Sequence, residues 1–210
     1  MKLFLASQMK HESSIEGLRN FIGGSFDNKT ITYVVTAANG ESYGAWKESK
    51  TLEKVRNLGA KLKVIELENI SNYDELKKEI NEPDILWFCG GYSGYLNFWL
   101  HRTEMIKYIP ELLENGTVYV GSSAGACVAS RTQYSAGWYL EAPEYGAEFL
   151  PGIGLIDFEL YPHFTGEKYN EINKHWREGD GKLALMKDDQ HFIIDNGAVV
   201  SNSEVRFLEK

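Results

Sequence analysis

The chain has 210 residues, with 22 Lys plus Arg against 30 Asp plus Glu, a formal charge of −8 and 43% apolar residues. That is the balance of one globular domain with enough chain for a full core, and an acidic surface without a Lys/Arg cluster excludes nucleic acid or an anionic membrane as the main partner. Two cysteines, Cys89 and Cys127, exclude a disulfide framework and a cysteine zinc set.

The first apolar run, Lys2–Ala6, is too short for a signal peptide and reads as a buried strand. No stretch approaches the roughly 20 apolar residues of a membrane helix. Without a targeting segment and with free thiols, the expected location is cytoplasmic. Ile15, Leu18, Phe21 and Ile22 recur on one face and predict a helix over Ser14–Ile22. Ile31–Thr36 is β-branched and aromatic, as a buried strand should be. A helix follows over Trp46–Leu58 and stops at Gly59, a residue suited to a left-handed cap. Leu62–Leu67 is the third strand, and Tyr73–Ile80 a short helix closed by Pro83.

Ile85–Cys89 is the fourth strand and runs directly into Gly90-Gly91. Leu96–Leu113 has helical period, Asn115-Gly116 makes a turn, and Thr117–Val120 is the fifth strand. Beyond Ala129 the pattern loosens, with an aromatic and Glu-rich loop over Tyr134–Leu150. An apolar run at Ile156–Tyr161 precedes a helix near Tyr169–Arg177. Short strands are expected at Leu183–Met186, Phe192–Ile194, Val199–Val200 and Val205–Leu208. Asn196-Gly197 is a hairpin signal. The alternation predicts an α/β fold spanning 1–210 as one domain: a three-layer, flavodoxin-like sandwich with a mainly parallel sheet and C-terminal β-hairpins.

Gly121-Ser122-Ser123-Ala124-Gly125 matches G-x-S-x-G between a strand and a helix start, which is the context of a nucleophile elbow. Ser123 holds the elbow position. A hydroxyl needs a base to attack near neutral pH. Of the five histidines, His163 in Tyr161-Pro162-His163-Phe164 leaves a strand at a proline-fixed turn, and His11 is its rival at the same sheet edge. His101 and His175 fall in helical segments, and His191 in a late hairpin. Gly90-Gly91 is placed to bring bare N–H groups beside the fifth strand as a second oxyanion donor. Cys127 reads as a small core residue.

Taken together, Cys89-Gly90-Gly91, Gly121-Ser122-Ser123-Ala124-Gly125-Ala126 and Tyr161-Pro162-His163-Phe164 resemble the peptidase E (aspartyl dipeptidase) family of serine peptidases, with cyanophycinases as more distant relatives. The resemblance implies a class I glutamine amidotransferase-like fold, with Ser123 as nucleophile, His163 as base, and the Gly91 and Ala124 amides as oxyanion hole. It implies a small peptide as substrate and a monomer or homodimer. The family has Asn after the glycine pair, whereas this chain has Tyr92, so a preference for N-terminal aspartate does not carry over.

The third triad member stays open. Where the dipeptidases resembled here carry their acid, this chain has Trp138, with Glu141 and Glu144 the nearest carboxylates. In the cyanophycinase-like pattern the acid comes from a late strand, and the matching stretch is Asp188-Asp189-Gln190-His191. Gln190 stands at the acid's place. Asp189 is taken as the acid, with Asp188, Gln190, Glu141 and Glu144 as rivals and Asp157 and Glu159 as further candidates. Tyr92 and Trp138 are expected to contact substrate, among aromatics that include Tyr43, Trp46, Tyr95, Trp99, Tyr134, Tyr139 and Tyr145. Arg131, Arg102 and Lys168 are the cations available to a substrate carboxylate. No His/Asp/Glu group has ligand spacing, so neither metal nor organic cofactor is expected.

The sequence thus favours a serine hydrolase cleaving short peptides through an acyl-enzyme. Its alternatives are a catalytically weak relative that binds a peptide or protein partner, and an esterase or acyltransferase on the same elbow.

Overall fold

The computed structural model describes residues 1–135, 150–201 and 205–210. Five strands of the main sheet lie parallel: β1 (Lys2–Ala6), β2 (Thr30–Val34), β3 (Lys61–Ile65), β4 (Ile85–Phe88) and β5 (Val118–Ser122). β8 (His191–Asp195) pairs antiparallel with β1, and β9 (Ala198–Ser201) with β8, giving the order β3-β2-β4-β5-β1-β8-β9. The β8–β9 turn is Asn196-Gly197, with φ of 50° and 83°, the left-handed pair that such a two-residue turn demands.

Parallel strands need crossovers, and crossovers are right-handed. Moving from β1 to β2 to β3 runs one way across the sheet; moving from β3 to β4 to β5 runs the other way. This puts α1 (Glu12–Phe21), α2 (Thr36–Glu41) and α3 (Lys50–Arg56) on one face. It puts α4 (Tyr73–Ile80), α5 (Ser93–Arg102) and α6 (Met105–Glu114) on the other. Ion pairs match the grouping: Lys54 of α3 with Glu12 of α1, and Lys77 of α4 with Glu111 of α6. The crossovers diverge after β2 and β4, which opens a crevice at the strand carboxyl ends, the usual ligand position in open α/β sheets.

Covered on both faces, the inner strands β1 and β4 are apolar almost without interruption, whereas the edge strand β3 alternates with lysines. All of β4 is buried, and Trp87, Tyr33, Tyr119, Phe4 and Phe88 are fully enclosed. Phe88 and Tyr119 stack at 5.2 Å under the carboxyl edge. Truncating one of these rings to Ala costs about 3–5 kcal/mol through lost transfer energy and the void left behind.

A second sheet has the order β10-β7-β6, built from β6 (Glu159–Tyr161), β7 (Lys182–Leu185) and β10 (Arg206–Glu209). β6 and β7 are parallel, with Tyr161 opposite Leu185. With α8 (Tyr169–His175) they enclose their own core of Tyr161, Phe164, Ile172, Trp176, Leu183, Leu185 and Leu208.

Two expectations need correction, and one helix is added to them. The helix expected over 96–113 is two helices, because Glu104 adopts φ 60° and breaks the chain between α5 and α6. The helix expected over 46–58 begins as a 3-10 turn, Ala45–Glu48, and restarts at Ser49, whose hydroxyl accepts from the Leu52 N–H and caps α3. α2 is absent from the sequence reading: its Thr-Ala-Ala-Asn-Gly-Glu run has no apolar period, and Asn-Gly suggests a turn.

Candidate active site

Ser123 follows β5 directly and precedes the short helix α7 (Ala124–Cys127). Its backbone, at φ 49° and ψ −109°, is one that L-residues avoid, at a cost of about 1–3 kcal/mol. The surroundings hold it there. The Ser123 N–H donates to Ala6 O at 2.9 Å, the Tyr119 hydroxyl donates to Gly125 O at 2.6 Å, and the Gly125 N–H donates to Cys89 O at 3.2 Å. Both motif glycines are required by contact: a Cβ on Gly121 meets Gly125 O at 2.4 Å, and one on Gly125 meets Phe88 O at 2.4 Å.

Ser123 Oγ lies 3.0 Å from His163 Nε2. His163 stands just beyond β6 with φ 56°, and its N–H donates to the buried Ser7 hydroxyl at 2.8 Å. Ser7 directly follows β1, so the base is fixed to the main sheet next to the strand that leads to the serine.

Asp188 Oδ1 lies 2.6 Å from His163 Nδ1. The carboxylate that meets the histidine is therefore Asp188, one residue before the Asp189 taken as the acid. Burial works to raise the Asp188 pKa, but hydrogen bonds from His163 and Gln8, helped by the His163 and Lys10 charges, outweigh it and hold the carboxyl below its usual range. A carboxylate there makes Nδ1 the protonated nitrogen and leaves Nε2 free to accept from the serine hydroxyl. Gln8 Nε2 is also 3.1 Å from Nδ1, and with that nitrogen protonated its productive partner is Asp188.

The other acid candidates lie elsewhere. Gln190 is buried, and its side-chain oxygen accepts from the Lys187 N–H at 2.8 Å, closing the turn that presents Asp188. Glu159 is buried as well, and accepts from Thr132 Oγ1, the Tyr134 N–H and both the N–H and hydroxyl of Ser135. It anchors that segment, and Asp157 lines the same remote groove with Arg131 and Tyr134. Glu141, Glu144, Trp138, Tyr139 and Tyr145 lie outside the described residues.

Gly91 has φ 137°, and a Cβ there overlaps Ala37 O at 2.1 Å, so the position accepts glycine alone. Among the described residues, neither the Gly91 nor the Ala124 N–H donates to another protein group. Cys89, buried beneath, has its thiol pushed up to about 12 by burial, which makes it inert. His11 lines a shallower depression beside Asp188, His101 Nε2 meets Pro151 O at 2.9 Å, and His191 stacks on Phe4 at 4.5 Å with its pKa pushed down to about 4 by burial.

In front of Ser123 opens a cavity of about 500 Å³, lined by the ends of β1, β4 and β5 and by α2 with the 3-10 turn behind it. Tyr92 and Trp46 border it. Tyr43 is exposed, while Tyr95 and Trp99 pack on each other along α5. Arg131, Arg102 and Lys168 do not line it. Among the described residues no three His, Cys, Asp or Glu side chains come together to hold a metal, and no helix is long and apolar enough to cross a membrane.

Comparison with known proteins gives the family. The model of Peptidase family S51 matches residues 3–205. The chain belongs to peptidase family S51. An uncharacterized peptidase of Listeria monocytogenes is 27% identical over 201 residues, covering 91% of this chain and 92% of its own. Peptidase E of a Nostoc species is 29% identical over 177 residues, 84% of this chain and 69% of its own. Two solved structures share the fold. One, from L. monocytogenes EGD-e, has a TM-score of 0.73 at 20% identity and covers 100% of this chain and 98% of its own. The other, a peptidase from an acI-B1 actinobacterium, has a TM-score of 0.65 at 19% identity over 99% and 93%.

Proposed function

We propose that the chain is a serine-type peptidase that cleaves short peptides through an acyl-enzyme on Ser123. The observation that carries this reading is the line from Ser123 Oγ to His163 Nε2 (3.0 Å) and from His163 Nδ1 to Asp188 (2.6 Å). In the first step Ser123 Oγ bonds to the scissile carbonyl carbon while its proton passes to Nε2. The carbonyl oxygen becomes an oxyanion, held by the Gly91 and Ala124 N–H groups. His163 then gives the proton to the leaving nitrogen, the C–N bond breaks, and the amine departs. Water, deprotonated by the same imidazole, attacks the ester, and the acid product leaves with Ser123 restored. Asp188 acts through His163: it fixes the tautomer and offsets the imidazolium charge.

A binding protein without catalysis requires that no carboxylate reach His163, and the 2.6 Å contact speaks against it. A cavity of about 500 Å³ matches a ligand the size of a short peptide rather than a folded protein. The test is a dipeptide library incubated with wild type and Ser123→Ala, following released amino acids. Hydrolysis by wild type and none by the variant is expected; release that survives the substitution contradicts the reading.

A further inference from the structure

The cavity extends past Ser123 to α2, and its charged lining there is one-sided. Among the described residues, the only charged residue lining it apart from His163 is Glu41, which ends α2. No Lys or Arg lines it, and the segments outside the described residues, 136–149 and 202–204, contain none to add. Lys47 sits over the Trp46 ring, 5.6 Å from its centroid, without lining the cavity, and Lys10 acts on Asp188 at the other end.

The helix that carries Glu41 is held in place by packing. A Cβ on Gly40 meets the Tyr95 side chain at 2.8 Å and the Tyr92 side chain at 3.0 Å, so α2 lies directly against the residues that follow Gly91. Asn39 ties the same helix to Glu66 and Glu68 at 2.9 Å each, Thr36 donates to Glu68 at 2.8 Å, and the Trp46 indole N–H reaches Glu66 at 3.4 Å. Two more carboxylates are therefore bonded to the helix and turn that carry Glu41 and Trp46. Trp46 and Tyr92 line the same cavity as Glu41. On the cavity floor the Tyr33 hydroxyl is buried with no protein partner among the described residues, a hydrogen-bonding group left for whatever enters. A carboxylate that shares with two aromatic side chains a cavity lined, among the described residues, by no Lys or Arg matches a cation and repels an anion.

We propose that Glu41, with the Trp46 and Tyr92 rings, receives a cationic group on the residue that acylates Ser123, and that the cavity rejects acidic residues at that position. The group is the α-ammonium of a peptide's first residue or a basic side chain; both are ammonium- or guanidinium-type cations. The inference rests on the peptidase reading above and adds the substrate class to it.

The test compares kcat/KM for the p-nitroanilides of alanine, N-acetylalanine, lysine, leucine and aspartate, using wild type, Glu41→Gln and Glu41→Lys. Wild type is expected to favour alanine over N-acetylalanine, or lysine over leucine, and to use aspartate least. Glu41→Gln narrows the favoured gap by about 3–10-fold, the scale of one partly exposed charge contact with aromatic support. Glu41→Lys moves selectivity toward aspartate. Narrowing of the alanine pair assigns the α-ammonium, and narrowing of the lysine pair assigns the side chain. Preference for aspartate in wild type, or gaps that neither variant changes, overturns the inference while leaving the peptidase reading intact. No turnover by wild type, or turnover that persists in Ser123→Ala, overturns that reading and the inference with it. Glu41 is exposed, so both variants should keep the wild-type melting temperature.

Discussion

His163 and Asp188 meet at 2.6 Å because β6 and β7 are parallel neighbours in register. Tyr161 pairs with Leu185, so the chain two residues beyond the first and three beyond the second emerge side by side at one sheet edge. Asp189 continues the turn past this point. Asp188→Asn is expected to lower kcat by about 10²–10⁴-fold, up to the loss seen when a serine-protease acid becomes its amide. The lower end reflects a carboxylate whose side chain is 49% exposed. Asp189→Asn should leave kcat near wild type. Dipeptide turnover by the two variants, compared directly, decides which residue orients the base.

Ser7 links the base to the main sheet. Its hydroxyl accepts from the His163 N–H at 2.8 Å and lies 3.4 Å from Met186 O. Ser7→Ala leaves a partly buried N–H without an acceptor, at about 1–3 kcal/mol, and loosens a backbone held at φ 56°. The expected outcome is a fall in kcat of roughly tenfold or more, since small misplacements of a base are costly, with KM moved less. Equal loss in kcat and KM would count against a positioning role.

Gly125→Ala places a methyl 2.4 Å from Phe88 O, a backbone atom that cannot turn aside. Overpacking of this kind costs about 1–3 kcal/mol, at the upper end here because backbone must move. The elbow shifts with it, so thermal melting and activity should both fall. Gly116→Ala is the control: a Cβ there meets nothing within 4 Å, and its loss should reflect only the positive φ of 101°.

His191 is buried against Phe4 and held neutral, with its pKa pushed from 6.5 to about 4. The unfolded chain binds a proton at His191 in that window and the folded chain does not. Stability is therefore lost as pH falls from about 6.5 toward 4, with no further loss from this group below 4. Asp188, held low, adds its own loss only near and below the ordinary carboxylate range. Urea unfolding of wild type and His191→Gln between pH 7 and 4 tests this; the variant's stability should depend less on pH.

Much of this architecture is legible in the sequence because buried parallel strands leave a plain signature. Ile85–Phe88 is apolar without a break, and runs into glycines where the chain must turn. The elbow is also legible, since both its glycines are demanded by contacts within four residues or with the adjacent strand. α2 is not, because its stability comes from Asn39 and Thr36 reaching Glu66 and Glu68, partners about 30 residues away. The choice of Asp188 over Asp189 is likewise hidden. It depends on the register of β6 against β7 and on Gln190 closing the turn, neither of which a run of Asp-Asp-Gln declares. Glu159 is deceptive for the opposite reason: it sits two residues before Tyr161 on the histidine's own strand, yet its carboxylate is consumed by Thr132, Tyr134 and Ser135.

The central claim is that Ser123 is a nucleophile activated by His163. The most direct measurement is labelling by a fluorophosphonate probe, followed by peptide mapping of the adduct. Wild type should carry one adduct, on Ser123; Ser123→Ala should carry none, and His163→Ala should label far more slowly at unchanged melting temperature. Labelling of Ser123→Ala at the wild-type rate, or an adduct mapped to another residue, contradicts the account.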